Sequence, residues 1–305
     1  MTAVKISRAR IATKAMEQVV AAIVSIVFLG LSYAMILYIV SVGLSITMGL
    51  MGFTNLAHGV FAVAGGYVTV GLMNRYGVPF FAALVIAFIV VAAASVVLER
   101  LLYARLYSAG ELEQVLFTIG LIFMAIALAH YFWGPLPQRV RLPAYLTGQI
   151  DLGFRSFPTY RAFLIVVSLL LIAGLWFGIE RTNFGAQVRA AVDNRRMAES
   201  LGINTARLFT LTFALGSGLA ALGGGLGAEI LAIEPTYPIE YLVYFLIVVA
   251  VGGMGSLRGP FFAAILLGVG DTACKYLVPE FGAFFIFVAM LAILLWRPAG
   301  LFGRA

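Results

Sequence analysis

Two residues able to carry proton or hydrogen-bond chemistry stand inside an apolar stretch. They are Asn55 and His58, in Gly49-Leu50-Met51-Gly52-Phe53-Thr54-Asn55-Leu56-Ala57-His58-Gly59. Three residues apart, they share a face wherever the backbone is helical. Neither has an acid or nucleophile at useful spacing, so they form a polar patch, not a catalytic set. A second interruption, Val251-Gly252-Gly253-Met254-Gly255-Ser256-Leu257-Arg258-Gly259-Pro260, offers backbone freedom instead of reactive side chains. A third group is charged: eight of the 33 charged residues fall within 180–207. The sequence contains no P-loop, no Ser-His-Asp set in plausible order and no metal-ligand spacing. Its single Cys274 excludes an internal disulfide, and two histidines argue against a metal cluster. No catalytic residue, metal or cofactor is expected.

These residues must be positioned by membrane helices. Of 305 residues, 63% are hydrophobic and 11% charged, against about 45–50% and about 25% in soluble domains. Too few charges exist to cover a water-soluble surface, and a disordered chain needs the opposite balance. An outer-membrane barrel would show short alternating segments, not long apolar runs. A span needs about 20 apolar residues. The reading is therefore all-α: one polytopic transmembrane domain over 1–305, with about eight spans and no soluble domain attached. The first apolar run, Val19 to Val40, reads as a retained helix and not a signal peptide. Broken or half-helices are expected near 41–74 and 252–270. Glu229 to Glu240, with Pro235 and Pro238, reads as an acidic loop.

In hydrocarbon every backbone polar group needs a partner, so such breaks belong inside protein or beside a water-filled cavity. Asn55 and His58 then either border a translocation path or hydrogen-bond neighbouring helices at a packed kink. A pair of Gly- or Pro-interrupted segments, one in each half, points to a transporter's central site. Taken alone, the 252–260 segment also reads as a tight turn with Arg258 at the lipid interface. Leu208 to Ala228 carries Gly216, Ala220, Gly224 and Ala228 four apart, a ridge for close helix packing. Tyr67 fits core or lining equally.

Residues 185–202, wound as one helix, gather Ala190, Ala191, Met197, Ala198 and Leu201 on one arc. Arg189, Asp193, Arg195, Arg196 and Glu199 take the other, with i,i+4 pairs Arg189–Asp193 and Arg195–Glu199. Gly202 reads as the stop. Such a helix either lies under lipid headgroups or docks into a partner's groove; small alanines anchor poorly in lipid. The net charge of +7 sits mostly between apolar runs, so it points to membrane orientation and anionic lipid, not nucleic acid. With the N-terminus in the cytoplasm, 14 of the 20 Lys and Arg fall on that side, and the C-terminus joins them. No span carries a carboxylate well inside it, which argues against ion-coupled transport.

Four segments together resemble the first permease subunit of branched-chain amino acid ABC importers. They are Gly52-Phe53-Thr54-Asn55-Leu56-Ala57-His58-Gly59; Gly185-Ala186-Gln187-Val188-Arg189-Ala190 running to Met197-Ala198-Glu199-Ser200-Leu201-Gly202-Ile203-Asn204; Gly252-Gly253-Met254-Gly255-Ser256; and Arg297-Pro298-Ala299-Gly300-Leu301-Phe302-Gly303. The resemblance runs in order from the first helix to the C-terminus. The subfamily is similar in urea and short-chain amide importers, so those solutes stay as alternatives. A stand-alone channel or secondary carrier is the rival class. What the resemblance implies is a multi-pass subunit in a bacterial inner membrane. Its partners would be a second related permease, two cytoplasmic ATPases that bind ATP, and a periplasmic solute-binding protein. Thr54, Asn55, His58 and Gly59 would shape one half of the path, and Gly252, Gly253, Gly255 and Ser256 the other. The 180–207 segment would couple to the ATPases through Gly185, Arg189, Asp193, Ala198, Leu201 and Gly202. The chain departs from its relatives at Ala186 and Gln187, where Arg or Lys is frequent.

Overall fold

Gly216 and Gly224 decide where the central helix sits. A Cβ on Gly224 would meet the Ala62 carbonyl oxygen at 1.8 Å, and one on Gly43 would meet the Gly216 carbonyl oxygen at 2.4 Å. Small residues let backbones approach this closely in lipid, where no hydrophobic force drives helices together. The helix bearing them, α8 (Thr205–Gly227), is accordingly the hub. In its most apolar window 78% of residues are buried, against 17–33% in the other five long apolar helices.

The computed structural model describes residues 2–303 apart from 108, 152 and 154. Side chains are described from Met16 onward, Met51 excepted. The described residues are almost wholly helical: α1 (Thr2–Met51), α2 (His58–Tyr76), α3 (Phe80–Leu101), α4 (Glu111–Trp133), α5 (Thr159–Arg181), α6 (Asn183–Asp193), α7 (Arg195–Ser200), α8, α9 (Tyr237–Glu240), α10 (Leu242–Gly252), α11 (Arg258–Leu277) and α12 (Phe285–Trp296). Six are long and apolar enough to cross a membrane: α1 from Met16, α3, α4, α5, α8 and α11. Two shorter apolar stretches, Tyr237–Gly252 and Phe285–Trp296, add to them. One small hairpin pairs β1 (Gln149–Asp151) with β2 (Ser156–Pro158) in the loop before α5.

Helix directions follow from the contacts. On α1, Gly30 faces Val269 and Gly49 faces Gly255, so α1 and α11 run antiparallel. Val40 of α1 lies beside Gly223 and Ile36 beside Gly227, so α8 is antiparallel to α1 as well. The α6–α7 pair marks one end of the bundle. There Arg258 Nη2 donates to Glu180 Oε1 at 2.6 Å and covers the Trp176 ring. The chain's last described residues return to that end, where Leu301 N donates to Val251 O and Phe302 N to Gly252 O.

Four expectations change. Gly43 and Gly49 do not break α1, which runs unbroken to Met51; they are close-contact points on it. The break is narrower, at 52–57. Gly52, at φ +60°, closes α1 by donating to Met48 O. In the second half α11 is a continuous helix, and the break lies at 228–241, inside the supposed acidic loop. The 185–202 segment is two helices, because Asn194 leaves helical geometry (φ −155°, ψ 98°) and its side chain caps α7 through Met197 N. Finally, a continuous α1 places the N-terminus at the end opposite α6, while the last described residues lie at the α6 end. Shifting Lys5, Arg8, Arg10 and Lys14 to that opposite end removes the excess of basic residues that had oriented the sequence; their side chains lie outside the described set.

Candidate translocation and coupling sites

The 52–57 segment turns back into the protein. His58 Nε2 lies 3.0 Å from Val40 O. Val40 stands ten residues above Leu50, about 15 Å along the helix, half of a hydrocarbon core of about 30 Å. Thus α2 starts about 15 Å inside the bundle from the end of α1 and runs toward the end opposite α6. Asn55 accepts from Ala57 N at 3.1 Å, an Asx turn, and from Tyr103 Oη at 3.2 Å. Asn55 is 2% exposed and His58 1%. Both therefore hold the re-entrant turn against α1 and the segment after α3. Thr54 is partly exposed beside them.

A second helix begins beside the start of α2. A Cβ on Gly59 would lie 3.2 Å from Pro238 O. From there α9 and α10 run toward the α6 end, while α2 runs away from it. The starts of α2 and α9 thus abut inside the bundle, and at α9 the N–H groups of Tyr237, Ile239 and Glu240 are already taken by Glu234 O and Thr236 O. Asn55 Nδ2 and Tyr237 Oη are buried here without a partner among the described residues. Sequence reading missed 228–241 because its glutamates suggested an outside loop. The signal was there: Pro235 and Pro238 precede an apolar run too short to span alone. Tyr67 is 3% exposed and stacks on Trp133 at 4.4 Å, so it is core.

Gly252, Gly253, Gly255 and Ser256 are not beside this junction. They form the tight turn between α10 and α11 at the α6 end. A Cβ on Gly252 would lie 2.4 Å from Pro260 N. Gly253 and Gly255 sit at φ +97° and +76°, where other residues are strained. Gly255 N donates to Ser45 O at 3.0 Å, and Ser256 Oγ accepts from Gly259 N at 3.1 Å. The turn locks α1, α10, α11 and the C-terminal segment together.

Beside that turn lies the α6–α7 pair. Thr182 caps α6 by accepting from Gly185 N at 3.2 Å. Gly185 packs directly on Ile179, and Arg189 donates to Ile179 O. The apolar stripe Phe184, Val188, Ala191 and Val192 turns inward, as does Ala198 on α7. Outward stay Arg189, Asp193, Met197 (59% exposed) and Leu201 (74% exposed). A cavity of about 520 Å³ between α6 and the Gly253–Arg258 turn is lined by Arg189, Asp193 and Ser256. Arg195 pairs with Glu199 at 3.0 Å and stacks on Phe209 at 4.6 Å, fastening α7 to α8. Glu199 also accepts from Thr205 Oγ1 at 2.6 Å. That bond first, and Arg195 second, hold its carboxyl below the usual carboxylate range. Nearby, the buried Glu99 accepts from Tyr107 at 2.5 Å and Thr210 at 2.8 Å, tying α3 to α8. Among the described residues no cluster of His, Cys, Asp and Glu could hold a metal ion.

Apolar helices enclosing two helix starts inside the bundle define a class: a polytopic membrane protein whose interior backbone is interrupted where a solute could meet it. The chain belongs to the family of branched-chain amino acid transport system permease components, matched over residues 26–294. It is similar to the high-affinity branched-chain amino acid transport system permease protein LivH of Salmonella typhimurium, at 29% identity over 91% of this chain and 93% of that protein. It is similar to BraD of Pseudomonas aeruginosa, at 28% identity over 90% and 92%. It also resembles LivM of Escherichia coli, a permease protein named for the same type of system, at 26% identity over 88% of this chain and 68% of LivM. No solved structure matches the chain at a significant level.

Proposed function

We propose that this chain is one of two related permease subunits of an ABC importer for branched-chain or similar hydrophobic amino acids, in a bacterial inner membrane. The observation carrying this reading is the near full-length likeness to LivH and BraD, whose names state that transport. The partners would be a second, LivM-like permease, two ATPases that hold the ATP, and a periplasmic binding protein. The α6 end faces the cytoplasm in this reading, because α6 and α7 are the surface offered to the ATPases. The path runs past the junction of Thr54, Asn55, His58 and Gly59 with 234–241. Its unsatisfied buried polar groups there are Asn55 Nδ2 and Tyr237 Oη, two donors suited to an anionic carboxylate. Gly252, Gly253, Gly255 and Ser256 act as the rigid joint below it.

ATPase movement would enter through Gly185, Arg189, Asp193, Leu201 and Gly202, with Ala198 anchoring α7 from inside. Met197 and Leu201 form the exposed apolar knob for a partner groove. Co-expression with the neighbouring genes tests the whole reading. Copurification of a second permease and two ATPases, with ATP-dependent uptake of labelled L-leucine, is expected. Uptake of urea or an amide instead, or ATP-independent flux by this chain alone, would overturn it.

A further inference from the structure

Toward the end opposite α6, above the re-entrant α9, lies a cavity of about 380 Å³. Its walls come from α1, α5, the 228–241 segment, α10 and α11. It holds opposite charges on different elements. Arg161, at the start of α5, is held by Ser32 Oγ at 3.2 Å. Its guanidinium feels Glu229 but makes no ion pair among the described residues. Glu240, at the end of α9, is exposed, makes no ion pair among the described residues and shares a carboxyl–carboxyl hydrogen bond with Glu234. Asp271 on α11 is 3% exposed and pairs with Lys275 at 2.7 Å. Against the expectation that no span carries a carboxylate inside it, α11 (Arg258–Leu277) holds Asp271 within the helix. Tyr241 and Tyr244 add aromatic faces, and Leu29 and Ile230 add an apolar wall.

A guanidinium that faces a cavity binds a carboxylate in bidentate fashion. A pair of acidic side chains beside aromatic rings, here Glu240 with Glu234, binds an ammonium that takes up their shared charge. An apolar wall between them takes an alkyl group. A volume of a few hundred Å³ with few convergent polar groups is the usual form of a small-molecule site. We propose that this cavity is a binding site for a free zwitterionic α-amino acid with an apolar side chain, Arg161 holding its carboxylate and Glu240 its ammonium. The Asp271–Lys275 pair fixes the α11 wall. The site rests on the amino-acid reading above and deepens it: it is the station the solute occupies before the junction of 54–59 with 234–241. A lipid headgroup bearing phosphate and ammonium has kindred chemistry and is the competitor.

The test uses the full complex in lipid vesicles, with Cys274→Ser and Thr272→Cys in this chain. Thr272 lines the cavity without supplying charge. A membrane-impermeant thiol reagent reads its accessibility. L-leucine is expected to slow labelling several-fold and urea to leave it unchanged. Arg161→Gln should abolish the protection, and Arg161→Lys should keep part of it. If the complex imports leucine but leucine leaves labelling unchanged, the site falls and the importer reading stands. If neither import nor protection is seen, both fall. Labelling that is slow with or without leucine, and fast only after detergent strips the lipid, assigns the cavity to a headgroup and overturns the proposal.

Discussion

Gly224 leaves room only for the carbonyl of Ala62, and this closeness makes a sharp test. Gly224→Val should force α8 and α2 apart and sharply reduce the amount of folded protein, read by size-exclusion chromatography in detergent. Gly71→Ala is the control, because a Cβ there meets nothing within 4 Å; it should leave folding intact. Asn55 works differently. Asn55→Ala strands the Ala57 N–H and the Tyr103 hydroxyl in a buried place, and each lost partner costs about 1–3 kcal/mol. A lower melting temperature in detergent is expected, together with impaired uptake, because the turn they hold sets the start of α2. An unchanged melting temperature would mean that the Asx turn does not hold the break.

At the scale of elements, α6 and α7 divide their labour. The inward stripe of Val188, Ala191 and Ala198 belongs to this chain, and only Met197 and Leu201 remain as apolar contacts for another. Leu201→Glu should therefore leave the melting temperature unchanged while most ATP-driven uptake is lost. Normal uptake would remove α7 from the coupling surface. Arg189→Glu should impair uptake too, but it also breaks the tie to Ile179, so it reports on both roles. The α7–α8 corner has a definite pH response. Glu199 is held below the ordinary carboxylate range by Thr205 and then Arg195. Such a group stabilises the fold above its unfolded pKa, and that stabilisation fades as pH falls through the lower folded value. Protection factors of the α7 amides, corrected for intrinsic exchange at each pH, should hold at neutral pH and fall only in acid; a fall at neutral pH would contradict the assignment.

At the scale of the molecule, the two termini emerge at opposite ends of the bundle. Basic residues alone had put both on one side. Impermeant labelling of single cysteines should find residue 3 and residue 303 on opposite faces of the membrane, each in a Cys274→Ser background. Labelling of both from one face would mean that α1 does not cross as one helix. The starts of α2 and α9 meet at Gly59 and Pro238, an interruption inside the bundle.

Hydrophobic length and glycine spacing were enough to read a membrane bundle, the Asn55–His58 break, the ridge on α8 and the charged 180–207 segment. Each is a local property: an apolar run must be buried in lipid, and four-residue spacing puts small residues on one face whatever surrounds them. The second break at 228–241 was not legible. Its glutamates look like loop residues until α2 and the 135–140 segment pack beside them, as when Gln138 N donates to Ile233 O. The roles of the glycines were decided in the same way. In the sequence Gly43 and Gly255 look alike; in the structure one admits the Gly216 backbone against a straight helix and the other turns the chain at φ +76°. Which residue is a hinge, a contact or a cavity wall depends on what stands opposite it across the bundle, and that partner is far away in the chain.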